Sequence, residues 1–369
     1  GFGLPILTGF SGPVDMRPST PVRMLCVQTN LTQSNKIGWP VERQEADVRA
    51  FLDQTRTALL AAGSVDLVLW PETMVPGLGF DPDTLTFLDS LGPGAAHMTR
   101  WQRVLQQAAA QSGVPWLVGS PTWLDVALSD DGYMESSQRF NSAVLLEPDG
   151  SVQRYDKVFL TPFGETMPWI RAWPWLEQRL MAVGASGLHF DLQAGGAPVA
   201  ITIETHEGPQ SSLGDVGGPG RTLRLVTPIC FEDAVPSVVR RLVRDTNADI
   251  IVNLSNDGWF GTDDAGRRAH QIAAAFRAVE LERPLIRVAN TGLTASINRF
   301  GHVVQQLDAR TSGTVLVEPV SSKGNATGYA RFGNWFPQLL LLLTVTGILM
   351  RRIERRAACS TEGPTCDVN

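Results

Sequence analysis

T-L-R-L-V-T-P-I-C-F-E-D-A-V-P-S-V-V-R-R-L-V-R-D-T-N-A-D-I-I-V-N-L, residues 222–254, is the stretch from which the fold is read. Residues 222–229 form an apolar run of strand length, residues 235–246 an amphipathic helix, and residues 249–254 a second apolar strand. Short apolar strands alternating with amphipathic helices predict a layered α/β domain. The alternation continues toward the N-terminus, with strands at 22–31, 66–70, 115–124 and 141–147 and helices at 41–62 and 99–112. The P-D-G turn at 148–150 closes the last of those strands. Toward the C-terminus, a helix at 265–282 precedes strands at 285–289 and 294–298. Residues 204–220, rich in Gly, Pro and Ser, predict an exposed loop. At 369 residues, 43% hydrophobic and 18% charged, the chain can bury the core of one large domain or two.

Cys230 lies where the first quoted strand meets the carboxylates Glu232 and Asp233. Two other segments carry matching chemistry. Glu72 ends D-L-V-L-W-P-E at 66–72, and Lys157 lies in R-Y-D-K-V-F-L-T-P-F-G-E at 154–165. All three follow strand-like segments, and loops at the ends of an open α/β sheet gather functional groups. A thiol, a carboxylate and an ammonium supply a nucleophile, a proton shuttle and an oxyanion stabiliser, the roles that acyl transfer needs. A thiolate at Cys230 requires nearby positive charge or a base. Glu72 suits the base, and Lys157, with the Phe231 backbone N–H, suits the oxyanion. Glu165 and Glu232 are expected to hold Lys157 in place. Each residue also has a plainer reading: a packed cysteine, a surface glutamate, a solvated lysine, a structural salt bridge.

Composition narrows the classes. A formal net charge of -6 leaves no basic surplus to neutralise phosphates, which argues against broad nucleic-acid binding. Cys26, Cys230, Cys359 and Cys366 have the spacing of neither a disulfide framework nor a metal knuckle. The five histidines form no H-x-H or H-E-x-x-H pair, so neither a catalytic metal nor another cofactor is expected.

Two apolar segments point toward lipid. M-P-W-I-R-A-W-P-W-L at 167–176 brings together Trp169, Trp173 and Trp175, either as core or as an apolar lid over about 160–190. N-W-F-P-Q-L-L-L-L-L-T-V-T-G-I-L-M at 334–350 precedes R-R-I-E-R-R. As a helix, residues 335–350 span roughly 24 Å, short of a bilayer core of about 30 Å unless flanking residues snorkel. Five consecutive leucines leave no polar face, so a transmembrane helix at 334–352 is expected in preference to a buried terminal helix. Arg351, Arg352, Arg355 and Arg356 then place the tail, 353–369, in the cytoplasm and the α/β domain outside. The opening G-F-G-L-P-I-L-T-G-F is too short and too broken to span a bilayer, and residues 1–20 read as a remnant or linker before a domain at 21–325.

These motifs together resemble the nitrilase (carbon–nitrogen hydrolase) superfamily, and within it the apolipoprotein N-acyltransferases. The matching stretches are W-P-E at 70–72, P-F-G-E at 162–165, C-F-E at 230–232, S-N-D-G-W-F-G at 255–261, R-A-V-E-L-E-R-P at 277–284, A-N-T-G-L-T-A at 289–295 and G-Y-A-R-F-G-N-W at 328–335. The resemblance implies a four-layer αββα sandwich with a Glu72–Lys157–Cys230 triad and a C-terminal membrane helix. It implies transfer of an acyl chain from a phospholipid, through a Cys230 thioester, to the α-amine of an N-terminal diacylglyceryl-cysteine on an apolipoprotein. It also implies a bacterial inner-membrane location with the catalytic domain on the periplasmic side. Trp39 roughly matches a functionally important tryptophan of the family. Two departures stand out: Phe231 replaces the usual tyrosine, and the family's several preceding membrane helices are not within these 369 residues. A membrane-tethered amidase and an inactive remnant that only binds are the competing readings.

Overall fold

The computed structural model describes residues 22–31, 39–162, 165–166, 192–205, 221–320 and 327–361. They fall into two units, 1–325 and 326–369. The first unit is built on two six-stranded sheets. One has the order β12-β1-β2-β3-β4-β5, with β1 Met24–Gln28, β2 Leu67–Leu69, β3 Trp116–Leu128, β4 Met134–Leu146, β5 Val152–Asp156 and β12 Gly313–Val317. The other has the order β11-β10-β9-β8-β7-β6, with β6 Ile201–Thr205, β7 Arg221–Val226, β8 Ile250–Ser255, β9 Leu285–Ala289, β10 Ala295–Ile297 and β11 Val303–Gln306.

The sheets follow one plan. Three parallel strands, β1, β2 and β3 in one and β7, β8 and β9 in the other, are flanked on both sides by antiparallel partners. Every residue of β1, β2, β8 and β9 is buried. That is why these strands read as mostly apolar runs rather than as alternating patterns, with Asn253 of β8 and Arg287 of β9 as polar interruptions.

Helices α1 Val41–Ala62, α2 Pro82–Ser90 and α3 Ala96–Ser112 pack on the first sheet, and α4 Pro236–Thr246 and α5 Asp264–Leu281 on the second. The sheets meet through β1 and β9, β5 and β6, and β11 and β12. The layers are therefore helix, sheet, sheet, helix, as the resemblance implies. Trp70 anchors the first half, stacked at a tilt on Trp116 at 5.7 Å and edge-on to Phe51 of α1 at 5.8 Å. Its indole N–H donates to Thr55 Oγ1 at 3.1 Å, so the buried ring leaves no orphaned donor.

Asn290, just after β9, bolts one sheet to the other. Its Oδ1 accepts from Thr29 Oγ1 and Leu31 N at 2.8 and 2.6 Å, and its Nδ2 donates to Leu31 O and Asn256 Oδ1, both at 2.6 Å. A buried amide saturated in this way fixes the relative position of the two strand ends, which a purely apolar contact does not.

Several elements differ from expectation. The strands expected at 115–124 and 141–147 form a longer hairpin, 116–128 paired with 134–146. Its distal part is partly exposed and polar, so no apolar run announces it. Helix α2 was unforeseen; Asp81 caps it by accepting from Thr84 N at 3.0 Å, with Pro82 in the first turn. Strand β6 takes residues 201–205, so the expected loop loses its first two residues, and 206–220 lie outside the described residues. The expected lid falls largely outside them as well, including Trp169, Trp173 and Trp175.

The second unit holds α6 Gly328–Phe332 and α7 Trp335–Thr361. Within α7, residues 335–354 form a 20-residue segment long and apolar enough to cross a membrane. At 1.5 Å per residue that is about 30 Å, the thickness of a bilayer core. The helix thus runs beyond 350 and removes the shortfall expected from sequence. Trp335 packs edge-on to Phe332 and Phe336, at 6.4 and 5.7 Å, gathering aromatic rings at the start of the apolar segment.

Candidate active site

Glu72, Lys157 and Cys230 each follow a strand end, after β2, β5 and β7. Because β4 is antiparallel to β3 and β5 is antiparallel to β4, β5 runs in the direction of β2 and β3 and delivers Lys157 at the same end as Glu72. Glu72 is pressed into place by Gly119 of β3. A Cβ on Gly119 would fall within 3 Å of Pro71 O, Glu72 Cα and Thr73 N. Gly119 also bonds this turn through its own backbone, donating to Pro71 O and accepting from Met74 N.

All three side chains are buried, Lys157 at 1%, Glu72 at 5% and Cys230 at 7% exposure. Asn141 of β4 ties the acids together, donating from Nδ2 to Glu72 Oε1 at 2.8 Å and to Glu165 Oε1 at 3.0 Å. Glu165 Oε2 in turn sits 2.6 Å from Lys157 Nζ. Glu72 Oε2 is buried with no hydrogen-bond partner among the described residues, which leaves one carboxylate oxygen available to a proton. Burial works against the Lys157 ammonium, yet nearby negative charge, that of Cys230 whenever it is ionised and that of Glu165 and Glu72, holds its pKa above the ordinary lysine value. Burial also opposes ionised Glu165, but Lys157 overrides it and keeps that carboxyl below the usual range.

Cys230 opens a 3-10 turn, Cys230–Ala234, and has φ 51, a left-handed conformation rarely taken by a residue with a Cβ. Burial, and then the charge of Glu72, push its thiol up to about 12 against the pull of Lys157. The protonated thiol is thereby favoured, and attack requires a base to take its proton, the role expected of Glu72: burial and the charges of Glu72, Asp257 and Glu165 outweigh one ammonium.

Glu232 bonds the two loops to each other. Its Oε1 accepts from Val158 N and Phe159 N, both at 2.8 Å, and its Oε2 from Ile229 N at 2.7 Å. The Tyr155 hydroxyl reaches both oxygens, at 3.1 and 3.0 Å. Glu232 thus holds the Lys157 loop against the Cys230 turn through backbone amides, while Glu165 meets the ammonium itself. Burial pushes its carboxyl up to about 7 despite those donors.

Phe231 projects beside the cysteine at 41% exposure. Trp39 packs on the core of the first sheet, and its described hydrogen bonds run to Asp47 and Gln44 of α1.

A second polar cluster lies behind the turn. Asp233 accepts from Arg287 Nη1 at 2.8 Å and meets His270 Nε2 at 2.7 Å. Asp257 meets His270 Nδ1 at 2.9 Å and Arg287 Nη2 at 2.7 Å. Burial and the Arg287 cation press His270 toward neutrality, but Asp233 and Asp257 prevail and hold its pKa at about 9. Sequence reading missed Asn141, Tyr155, Asn253, His270 and Arg287. Each interrupts or faces an apolar element, and a lone polar residue in a buried strand, such as Asn141 or Arg287, is the signal that pattern reading passes over.

Comparison with known proteins accords with this architecture. The carbon-nitrogen hydrolase family matches residues 32–327. A Treponema denticola protein named apolipoprotein N-acyltransferase 2 is 26% identical over 362 residues, covering 97% of this chain and 59% of the relative. The apolipoprotein N-acyltransferase of Geobacter metallireducens is 31% identical over 317 residues, covering 86% and 51%. The chain thus spans only between half and three fifths of the length of these curated relatives. Among solved structures, a carbon-nitrogen hydrolase from Helicobacter pylori G27 aligns with TM-score 0.51 at 13% identity, over 82% of this chain and 90% of that one. A variant of the Nesterenkonia AN1 amidase, from the nitrilase superfamily, aligns with TM-score 0.50 at 15% identity, over 81% and 92%. At such identities the likeness concerns the fold alone. With the family match running through both sheets of the sandwich, this chain belongs to the carbon-nitrogen hydrolase family.

Proposed function

We propose that the chain carries the catalytic domain of an apolipoprotein N-acyltransferase, working by a Cys230 thioester. The observation that carries the reading is the buried group of Glu72, Lys157 and Cys230, with Glu72 Oε2 free of partners among the described residues. In a chain similar to named N-acyltransferases and bearing one apolar helix of membrane length, that group fits a lipid acyl donor.

The chemistry proceeds in two halves. Glu72 takes the Sγ proton as sulfur attacks the ester carbonyl of a phospholipid, and Lys157 stabilises the oxyanion. The ester C–O bond then breaks, and Glu72 returns the proton to the departing lysophospholipid alkoxide. In the second half, the α-amine of a diacylglyceryl-cysteine attacks the thioester carbonyl. Its proton passes by way of Glu72 to Sγ as the C–S bond breaks. The cycle is ping-pong. The C-terminal helix spans the bacterial inner membrane at about 334–352, with Arg351, Arg352, Arg355 and Arg356 cytoplasmic and the catalytic domain periplasmic. Phe231 and Trp39 support the site, and its donor and acceptor are phospholipid and apolipoprotein.

The amidase reading shares the same three side chains and differs in its second substrate, which is water. Intact-mass measurement in phospholipid micelles separates the two. A hydroxylamine-labile, acyl-sized increase on the wild type and not on Cys230→Ala is the expected result. Ammonia release from small amides, with no lipid adduct, would establish the hydrolase instead.

A further inference from the structure

Arg287 sits at the centre of β9 with no exposure to solvent, where an unpaired guanidinium would be strongly destabilising. The polar contacts of its guanidinium are all with side chains, on the Cys230 turn, on β8 and just beyond it, and with His270, whose Nδ1 lies 2.8 Å from Nη2. Nη1 donates to Asp233 Oδ2 at 2.8 Å and to Asn253 Oδ1 at 3.2 Å. Nη2 donates to both oxygens of Asp257 at 2.8 and 2.7 Å and to Ser255 Oγ at 3.3 Å. Asn253 passes the restraint on. With its Oδ1 taken by Arg287, its Nδ2 faces the turn and donates to Pro228 O at 3.0 Å and Cys230 O at 3.1 Å. Those two carbonyls bracket the Ile229–Cys230 pair, and Asp233 lies on the same 3-10 turn.

We infer that Arg287, acting through Asn253 and Asp233, is the positioning residue that holds Cys230 in its left-handed conformation with the thiol presented to Glu72 and Lys157. A non-glycine residue at φ 51 persists only where its surroundings over-determine it. Here the restraint comes from two sides: Glu232, on the turn itself, accepts from Ile229 N and is held in turn by Val158 N and Phe159 N of the Lys157 loop, and Asn253 binds the carbonyls from β8. Two cations against two carboxylates make the buried cluster neutral, so Arg287 is stable where it stands and free to orient Asn253. The inference rests on Cys230 being the nucleophile, but not on the acyl donor being a lipid.

The test uses p-nitrophenyl acetate, a small activated ester that acylates a positioned thiol whatever its natural substrate. The full chain in detergent micelles should release a burst of p-nitrophenolate that Cys230→Ala abolishes. Asn253→Ala removes both carbonyl restraints without changing any charge. Arg287→Lys keeps the charge but loses the planar fork. Each variant is expected to slow the burst tenfold or more while its amplitude, which counts folded sites, stays near that of wild type. A merely structural role predicts the reverse, amplitude falling with the folded fraction at an unchanged rate, and that result in both variants overturns the inference. A wild-type burst without any phospholipid adduct would remove the lipid reading and leave the positioning role standing. A wild-type burst that survives Cys230→Ala would remove both.

Discussion

His270 is buried between two aspartates and one arginine, and its pKa near 9 makes folding stability depend on pH in a defined window. The unfolded imidazole titrates at about 6.5, so the folded protein binds the proton more tightly. That stabilisation is complete below pH 6.5 and is lost as pH rises through 9. Integrating the two titrations gives a loss on the order of 2 kcal/mol between pH 7 and pH 9. Neighbouring groups act mainly outside this interval. Glu232, raised from 4.5 to about 7, lowers stability chiefly between those values, and Cys230, raised from 9.0 to about 12, does so above pH 9. The assay is urea unfolding of the full chain in micelles, followed by tryptophan fluorescence at pH 7, 8 and 9, with the slope m held as a check. His270→Gln alone leaves a net buried negative charge, so the control is His270→Gln with Asp257→Asn, which restores neutrality. The midpoint should fall steadily in the wild type and stay nearly level in the double variant. A level wild type, or equal slopes in both proteins, would refute the argument that His270 is a buried cation.

Other outcomes follow from the site. Cys230→Gly should abolish the acyl adduct yet be more stable than Cys230→Ala by about 1 kcal/mol, since glycine takes the left-handed conformation without strain; chemical denaturation of the two variants checks this. Equal midpoints would mean that the turn is unstrained. Glu72→Gln should lower the rate of acyl-enzyme formation by about 10²–10⁴ in a single-turnover mass assay while leaving the fold intact. Gly119→Ala is expected to destabilise the protein by about 1–3 kcal/mol and to slow acylation as well, because the added methyl meets backbone at Pro71, Glu72 and Thr73 rather than a flexible side chain. Full activity in that variant would show that Glu72 does not depend on the β3 contact.

How much could be read in advance depended on how each residue interacts. The parallel strands were legible because burial on both faces forces mostly apolar runs. The outer half of the 116–146 hairpin was not, because it is partly solvated and its pairing is decided by register rather than by composition. Glu72, Lys157 and Cys230 could be nominated because their chemical types are complementary and each follows a strand. Glu232 could be nominated too, but not its means: it binds backbone amides on both loops, and amides carry no signature in the sequence.

From sequence alone came the α/β class, the two-sheet sandwich through the family resemblance, the apolar C-terminal helix, and three side chains able to perform acyl transfer together. Those are matters of local pattern and chemical type, written residue by residue. Tertiary structure decided that Asn141 bridges two acids 69 and 24 residues away, that the protonated thiol is favoured, and that Asn253 and Arg287 restrain the turn from behind. Those depend on which strands lie side by side and on how far water is excluded. Neither distance through space nor desolvation is encoded at any single position, so only the folded chain determines them.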